Sequence, residues 1–135
     1  MASPTFKEQH RKELLKQPSQ LLSKNKAKDI CELPIIRSSQ HIACYKALKP
    51  EVDITNLLIL LEENNKKIYL PIPNDNNTLS FAEWRLNEPL IFEKKCWVPR
   101  IKKIHEVEDL DCIIIPCLGI DLNHRRLGRG SGYYD

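Results

Sequence analysis

The residues most plainly equipped for chemistry are Arg126-Leu-Gly-Arg-Gly-Ser-Gly-Tyr-Tyr-Asp135. Gly128, Gly130 and Gly132 alternate with Arg129 and Ser131, and Arg126 and Leu127 precede them. Glycines permit positive φ and close approach of the backbone to a ligand. Backbone N–H groups in such a turn point at anionic oxygens, and guanidinium groups add planar, bidentate donors. The pattern reads as a phosphate cradle. It departs from both common phosphate loops, since a dinucleotide fingerprint needs G-x-G-x-x-G and a P-loop needs G-x-x-x-x-G-K-[ST]. The spacing alone suits a Gly-rich surface turn with solvated arginines equally well. Tyr133-Tyr134-Asp135, which serves no obvious packing purpose there, favours a binding loop.

The elements that must position this loop follow from periodicity. From Pro4 the chain reads as helix, with Phe6, His10 and Leu14 near one face and Lys7 and Arg11 one turn apart on an adjacent one. Pro18 interrupts it, Ser19 offers an N-cap, and Leu21, Leu22, Ala27 and Ile30 continue a second helical stripe to about Leu33, closed by Pro34. His41 to Tyr45 reads as a short buried strand, Ile54 to Glu63 as a Leu-rich helix ending at Asn64-Asn65, and Lys67 to Pro71 as a second strand. Short connections make these a βαβ unit with parallel strands. Leu79 to Leu86 reads as a more peripheral strand. Asn87 to Asp109 looks irregular, with a turn of helix near Val107. Cys112 to Leu118 is nearly all apolar, as expected of a central parallel strand covered on both faces. The predicted architecture is α/β: an open, mostly parallel, Rossmann-like sheet with flanking helices. Such sheets bind ligands at the carboxyl ends of their strands, which is where the glycine loop falls.

Composition bounds the rest. At 135 residues the chain suits one domain, 1–135, with a real core. Its net charge of +3 is mild and fits a small anionic ligand better than nucleic acid, which would call for a dense basic face with interleaved aromatics. Five cysteines, odd in number and without a C-x-x-C pair, read as reduced thiols rather than a disulfide framework or zinc site. The polar start lacks a signal core and no apolar run could span a membrane, so the expected compartment is the cytoplasm. His10, His41, His105 and His124 are scattered and suggest neither a triad nor a metal site.

Pro116-Cys-Leu-Gly-Ile-Asp121 followed by the Arg126–Asp135 run resembles the signature of the 5-formyltetrahydrofolate cyclo-ligase family, P-G-[LV]-[AG]-F-D and then R-L-G-x-G-x-G-[YF]-Y-D. Upstream, Lys7 and Arg11 resemble the family's Lys-x-x-x-Arg pair, Glu51 its Glu after the first strand, Leu70-Pro71 the end of its second strand, and Phe81 the aromatic of its next strand. Departures are Ile120 for the usual Phe, Pro99-Arg100-Ile101 for Pro-Glu-Pro or Pro-Gln-Pro, Ser131 at a position often Lys or Gly, and Trp97 one place from the family's Trp.

The resemblance implies ATP-dependent closure of 5-formyltetrahydrofolate to 5,10-methenyltetrahydrofolate, with ADP and phosphate released. It implies Arg126 and Arg129 as catalytic clamps on the transferring phosphate. It implies Lys7, Arg11 and residues Arg126 to Tyr134 (Leu127, Gly128, Gly130, Ser131, Gly132 and Tyr133 among them) at ATP. Arg11, Glu51, Arg129 and Tyr133 are implied at the folate, and Asp135 as a magnesium ligand. The partners expected are the small-molecule substrates, with no nucleic acid or membrane, and a monomer is expected if the full domain is present. Family members continue past Tyr-Tyr-Asp through a helix and further strands, so the chain reads as a truncated member lacking its C-terminal strands. A remnant that binds nucleotide or folate without turnover is the alternative, and a general nucleotide- or phosphosugar-binding module a third.

Overall fold

The computed structural model describes residues 5–129, 133 and 134. Helix α1 (Phe6–Leu14) begins with a capping box: Glu8 N donates to the Thr5 hydroxyl and Thr5 N donates to the Glu8 carboxylate. Helix α2 (Lys24–Cys31) is capped by Ser23, not the expected Ser19, because the Ser23 hydroxyl accepts from Lys26 N at 3.1 Å. Pro34 does not merely end a helix. It opens a further one, α3 (Pro34–Ser38), at the first turn, where its missing N–H costs nothing.

Strand β1 (His41–Ala43), helix α4 (Thr55–Glu63) and strand β2 (Lys67–Pro73) form the expected parallel βαβ unit. Leu57, Leu58 and Leu61 bury one face of α4, and Asn65 closes the helix at φ 61°. Strand β3 (Leu79–Trp84) runs antiparallel to β2. It is less peripheral than expected: β6 (Ile104–His105) flanks it, and Phe81, Ala82 and Trp84 are buried. The segment expected to be irregular contains β6, a hairpin of β4 (Leu90–Glu93) and β5 (Cys96–Pro99), and the foreseen helical turn at Val107–Asp109.

Strand β7 (Cys112–Ile113) differs, among the described residues, from the expectation of a central strand covered on both faces. It is two residues long and pairs parallel with β1 at the end of a five-stranded sheet of order β6-β3-β2-β1-β7. Its apolar run is covered on one face only. Cys112 and Ile114 pack on the main core, whereas Ile113 and Ile115 are 37% and 42% exposed. A final hairpin, β8 (Gly119–Ile120) with β9 (Arg126–Leu127), leads into the glycine loop. Ile120 is 69% exposed, so the residue in place of the family's Phe supports no packing beneath the site.

Three neighbouring parallel strands, β7, β1 and β2, thus continue into antiparallel β3 and β6 in a mixed α/β fold. The main core joins Ile42, Cys44, Ile68, Leu70 and Trp84 of the sheet region to Ala27 of α2, Ile36 of α3 and the α4 leucines. Each such buried aliphatic side chain stabilises by about 1.5–3 kcal/mol. The other sheet face carries a smaller cluster of Ala43, Tyr69 and Phe81. Among the described residues no helix is long and apolar enough to cross a membrane.

Candidate active site

The carboxyl ends of the three parallel strands open into one cavity of about 850 Å³. Tyr45 and Lys46 reach it beyond β1, Pro71 and Pro73 at the end of β2, and Pro116 and Cys117 beyond β7. This is the crevice that strand polarity dictates for an open α/β sheet. The β9 end supplies Arg126, Leu127, Gly128 and Arg129, helix α1 supplies Lys7 and Arg11, and Tyr133 and Tyr134 complete that wall.

Helix α1 buries none of its residues, so specific contacts must dock it. Arg11 Nε donates to Gly128 O at 2.9 Å, and Leu14 Cδ1 lies 3.4 Å from where a Cβ on Gly119 would stand. The helix is thereby pinned to the glycine loop, with Lys7, one turn earlier than Arg11, at the cavity.

Glu51 is only 5% exposed, although it sits in a loop. Its Oε1 accepts from Leu48 N at 2.8 Å, and its Oε2 accepts from Arg129 Nε at 3.2 Å. Arg129 Nη2 also donates to Lys49 O, next to the cis Lys49–Pro50 peptide. Two candidates 78 residues apart, Glu51 expected at folate and Arg129 expected at both phosphate and folate, therefore touch.

Arg126 Nη1 donates to Pro116 O at 3.2 Å, and its guanidinium lies 5.8 Å from the centroid of the Tyr134 ring, within cation–π range. Gly128 does not adopt the positive φ expected of it. Its lack of a side chain matters for space instead, because a Cβ there would stand 2.7 Å from Arg126 Nη1. Gly130, Ser131 and Gly132 lie outside the described residues, as does Asp135, the expected magnesium ligand. No group of three potential ligands that could hold a metal occurs among the described residues.

Burial raises the Tyr134 phenol well above its ordinary pKa, with Cys96 and Glu51 adding to the shift. Burial does the same for Tyr45, whose hydroxyl donates to Val52 O at 2.8 Å, and Glu51 adds to that shift. Both stay protonated hydroxyls at neutral pH. The Cys96 thiol is pushed up to about 11, chiefly by burial and then by Glu51.

Sequence reasoning missed several lining residues: Lys46, Asn74, Asp75, Lys94, Lys95 and Cys96. The last three belong to the β4–β5 hairpin. Alternation along β5 puts Cys96 at the cavity, whereas Trp97 lies edge-on to Phe92, half-exposed and outside the cavity lining. The Lys94-Lys95 doublet between two apolar stretches was the available signal, but it lacks usual turn residues.

Relatives of known name agree with one another. The chain is 28% identical over 104 residues to a 5-formyltetrahydrofolate cyclo-ligase of Haemophilus influenzae, covering 73% of this chain and 56% of that one. It is 25% identical over 132 residues to the 5-formyltetrahydrofolate cyclo-ligase of Escherichia coli K12, covering 94% of this chain and 72% of that one. The fold is similar to that of Aquifex aeolicus 5,10-methenyltetrahydrofolate synthetase, with a TM-score of 0.71 and 26% identity over 96% of this chain and 70% of that one. It also matches a 5,10-methenyltetrahydrofolate synthetase of Mycoplasma pneumoniae in fold, with a TM-score of 0.63 at 21% identity, over 95% of this chain and 71% of that one. The chain thus spans between about half and three quarters of the length of these relatives. The sequence model of the 5-formyltetrahydrofolate cyclo-ligase family matches residues 6–135, and the chain belongs to that family.

Proposed function

We propose that this chain carries the active site of an ATP-dependent 5-formyltetrahydrofolate cyclo-ligase. The observation that supports it most is the convergence of Lys7 and Arg11 from the start of the chain, Glu51 from its middle and Arg126 and Arg129 from near its end on one cavity at the strand ends. In the reaction the formyl oxygen takes the terminal phosphoryl group of ATP, and ADP leaves. N10 then attacks the activated formyl carbon and loses its proton. The carbon–oxygen bond breaks, and its electron pair departs with phosphate as the ring closes.

Phosphoryl transfer asks a protein mainly for positioning and charge neutralisation. Arg126 and Arg129 neutralise the transferring group, and backbone N–H groups of the glycine loop bind its oxygens. Lys7 adds a point charge on the phosphates, and Arg11 holds the loop through Gly128 O. Glu51 accepts hydrogen bonds from the pterin, and Tyr133 and Tyr134 stand between the two substrates as neutral hydroxyls and ring faces. In this reading Asp135 would hold magnesium, which would neutralise charge on the ATP phosphates.

The test is ATP-dependent formation of 5,10-methenyltetrahydrofolate from 5-formyltetrahydrofolate by the purified chain, beside Arg126→Ala and Arg129→Ala. Turnover by the chain and its loss in both variants is the expected result. Undiminished turnover in the variants would overturn the assignment of the clamps, and a folded chain with no turnover would overturn the activity.

A further inference from the structure

The cavity has a second cationic wall for which the glycine loop does not account. Strands β4 and β5 are joined by Lys94 and Lys95 alone, because Glu93 pairs directly with Cys96. Both lysines have positive φ, 48° and 62°. A two-residue hairpin turn of this kind needs the left-handed region at both positions, which Asn and Gly adopt readily and lysine does not. Backbone held in that region without glycine is sparsely populated and gathers at ligand sites. Both side chains line the cavity, and Lys94 Nζ donates to Asp75 of the β2–β3 turn. Lys95 has no ion-pair partner among the described residues.

Among the described residues, seven cationic residues and two carboxylates line the cavity, a surplus of positive charge that suits anionic groups. On the loop side, Arg11 bonds Gly128 O and Arg129 bonds Glu51, so both are engaged with the glycine loop and the turn after β1. The lysine pair comes from a separate hairpin. That hairpin is seated on the end of β2, where the Cys96 thiol reaches Pro71 O. The folate named by the relatives carries negative charge on the carboxylates of its glutamate tail, far along the molecule from the formyl group. Flexible, point-charged ammonium groups suit such mobile carboxylates.

We propose that Lys94 and Lys95 form the subsite for the glutamate-tail carboxylates and make this site select an acidic tail over a neutral one. The proposal rests on the folate reading above and adds the residues that set its specificity.

Lys94→Asn with Lys95→Gly tests it. Asn-Gly is the pair this turn favours, so the variant removes both charges while relaxing the backbone. Calorimetric titrations compare 5-formyltetrahydrofolate, 5-formyltetrahydropteroate (which lacks the glutamate) and a non-hydrolysable ATP analogue. The variant is expected to bind the folate about tenfold more weakly than wild type. Its affinity for the pteroate and for the ATP analogue stays at the wild-type level, and its melting temperature is not lowered. Added salt should shrink the wild-type preference for the glutamate-bearing ligand. Retention of that preference in the variant would overturn the proposal, and so would loss of ATP-analogue affinity in place of folate affinity. If wild type binds neither pterin compound, the folate reading itself fails, and the subsite with it. Lys94→Gln with Lys95→Gln, which leaves the backbone choice to the native turn, gives the same readout should the Asn-Gly chain not fold.

Discussion

Arg129 Nε lies 3.2 Å from Glu51 Oε2, an ion pair between residues 78 apart in sequence. The carboxylate expected to meet the pterin and the guanidinium expected to meet phosphate hold each other in the free protein. With Nε on Glu51 and Nη2 on Lys49 O, one edge of the Arg129 guanidinium is already occupied by protein acceptors. On the proposed reading, a folate that takes over Glu51 would release that edge.

The two substrates should therefore bind with positive coupling. In wild type, 5-formyltetrahydrofolate is expected to tighten a non-hydrolysable ATP analogue severalfold, the range of ordinary coupling energies. In Glu51→Gln the charge that restrains Arg129 is gone, so the same titration should show no tightening by folate. Equal tightening in both proteins would refute the coupling.

The pair also bears on stability. Removing Arg129 leaves the buried Glu51 carboxylate, among the described residues, with only the Leu48 N–H of its two side-chain partners. Breaking a fully buried pair costs about 3–5 kcal/mol, but Arg129 keeps about a third of its side chain exposed, so about 1–3 kcal/mol is the appropriate scale. Arg129→Ala should thus unfold at lower urea than wild type, although a loop arginine would ordinarily be silent. Identical midpoints would show that the pair adds nothing, and activity assays on this variant should be read below its unfolding transition.

Cys96 offers a chemical probe of the cavity. Its thiol is pushed up to about 11 from an ordinary 9.0, chiefly by burial. The thiolate is the reactive form, so at pH 8 its alkylation should run roughly a hundredfold slower than that of an ordinary cysteine. Peptide mapping after timed iodoacetamide treatment measures this directly, and the rate should keep climbing to about pH 11. A plateau near pH 9 would mean that the thiol is not held protonated.

Asp111 ties the start of β7 to the start of β1. Its Oδ2 accepts from Gln40 N and His41 N, both at 2.9 Å, and those bonds, the His41 one first, hold its pKa below the ordinary 3.8. A carboxylate whose pKa is lower folded than unfolded stabilises above the unfolded value and loses that effect as pH falls through the folded one. Asp111→Asn should accordingly be less stable than wild type at pH 7, and the gap should close as pH falls below about 3.8. A gap of constant size from neutral to acid pH would contradict this account.

Much of this protein is legible in local order. The βαβ unit follows from apolar runs at strand and helix lengths, Asn65 closes α4 as its residue type suggests, and the Arg126–Asp135 motif singles out the loop before any coordinates. Periodicity and helix-ending residues act within a few residues, so a sequence displays them, although the cap of α2 falls on Ser23 and not on Ser19. Which strand is central is another matter. The run Cys112–Leu118 has the composition of a buried strand, yet among the described residues β7 is two residues long, pairs laterally with β1 alone and packs only one face on the main core. Likewise Cys96, not Trp97, faces the cavity, because the register of β4 on β5 and the seat of the hairpin on β2 decide which side of the strand points inward. The motif names Glu51 and Arg129 as candidates but cannot show that they touch. That contact joins two loops whose distance is set by strand order and by the turn after β1, and chain closure over such separations is a property of the assembled sheet.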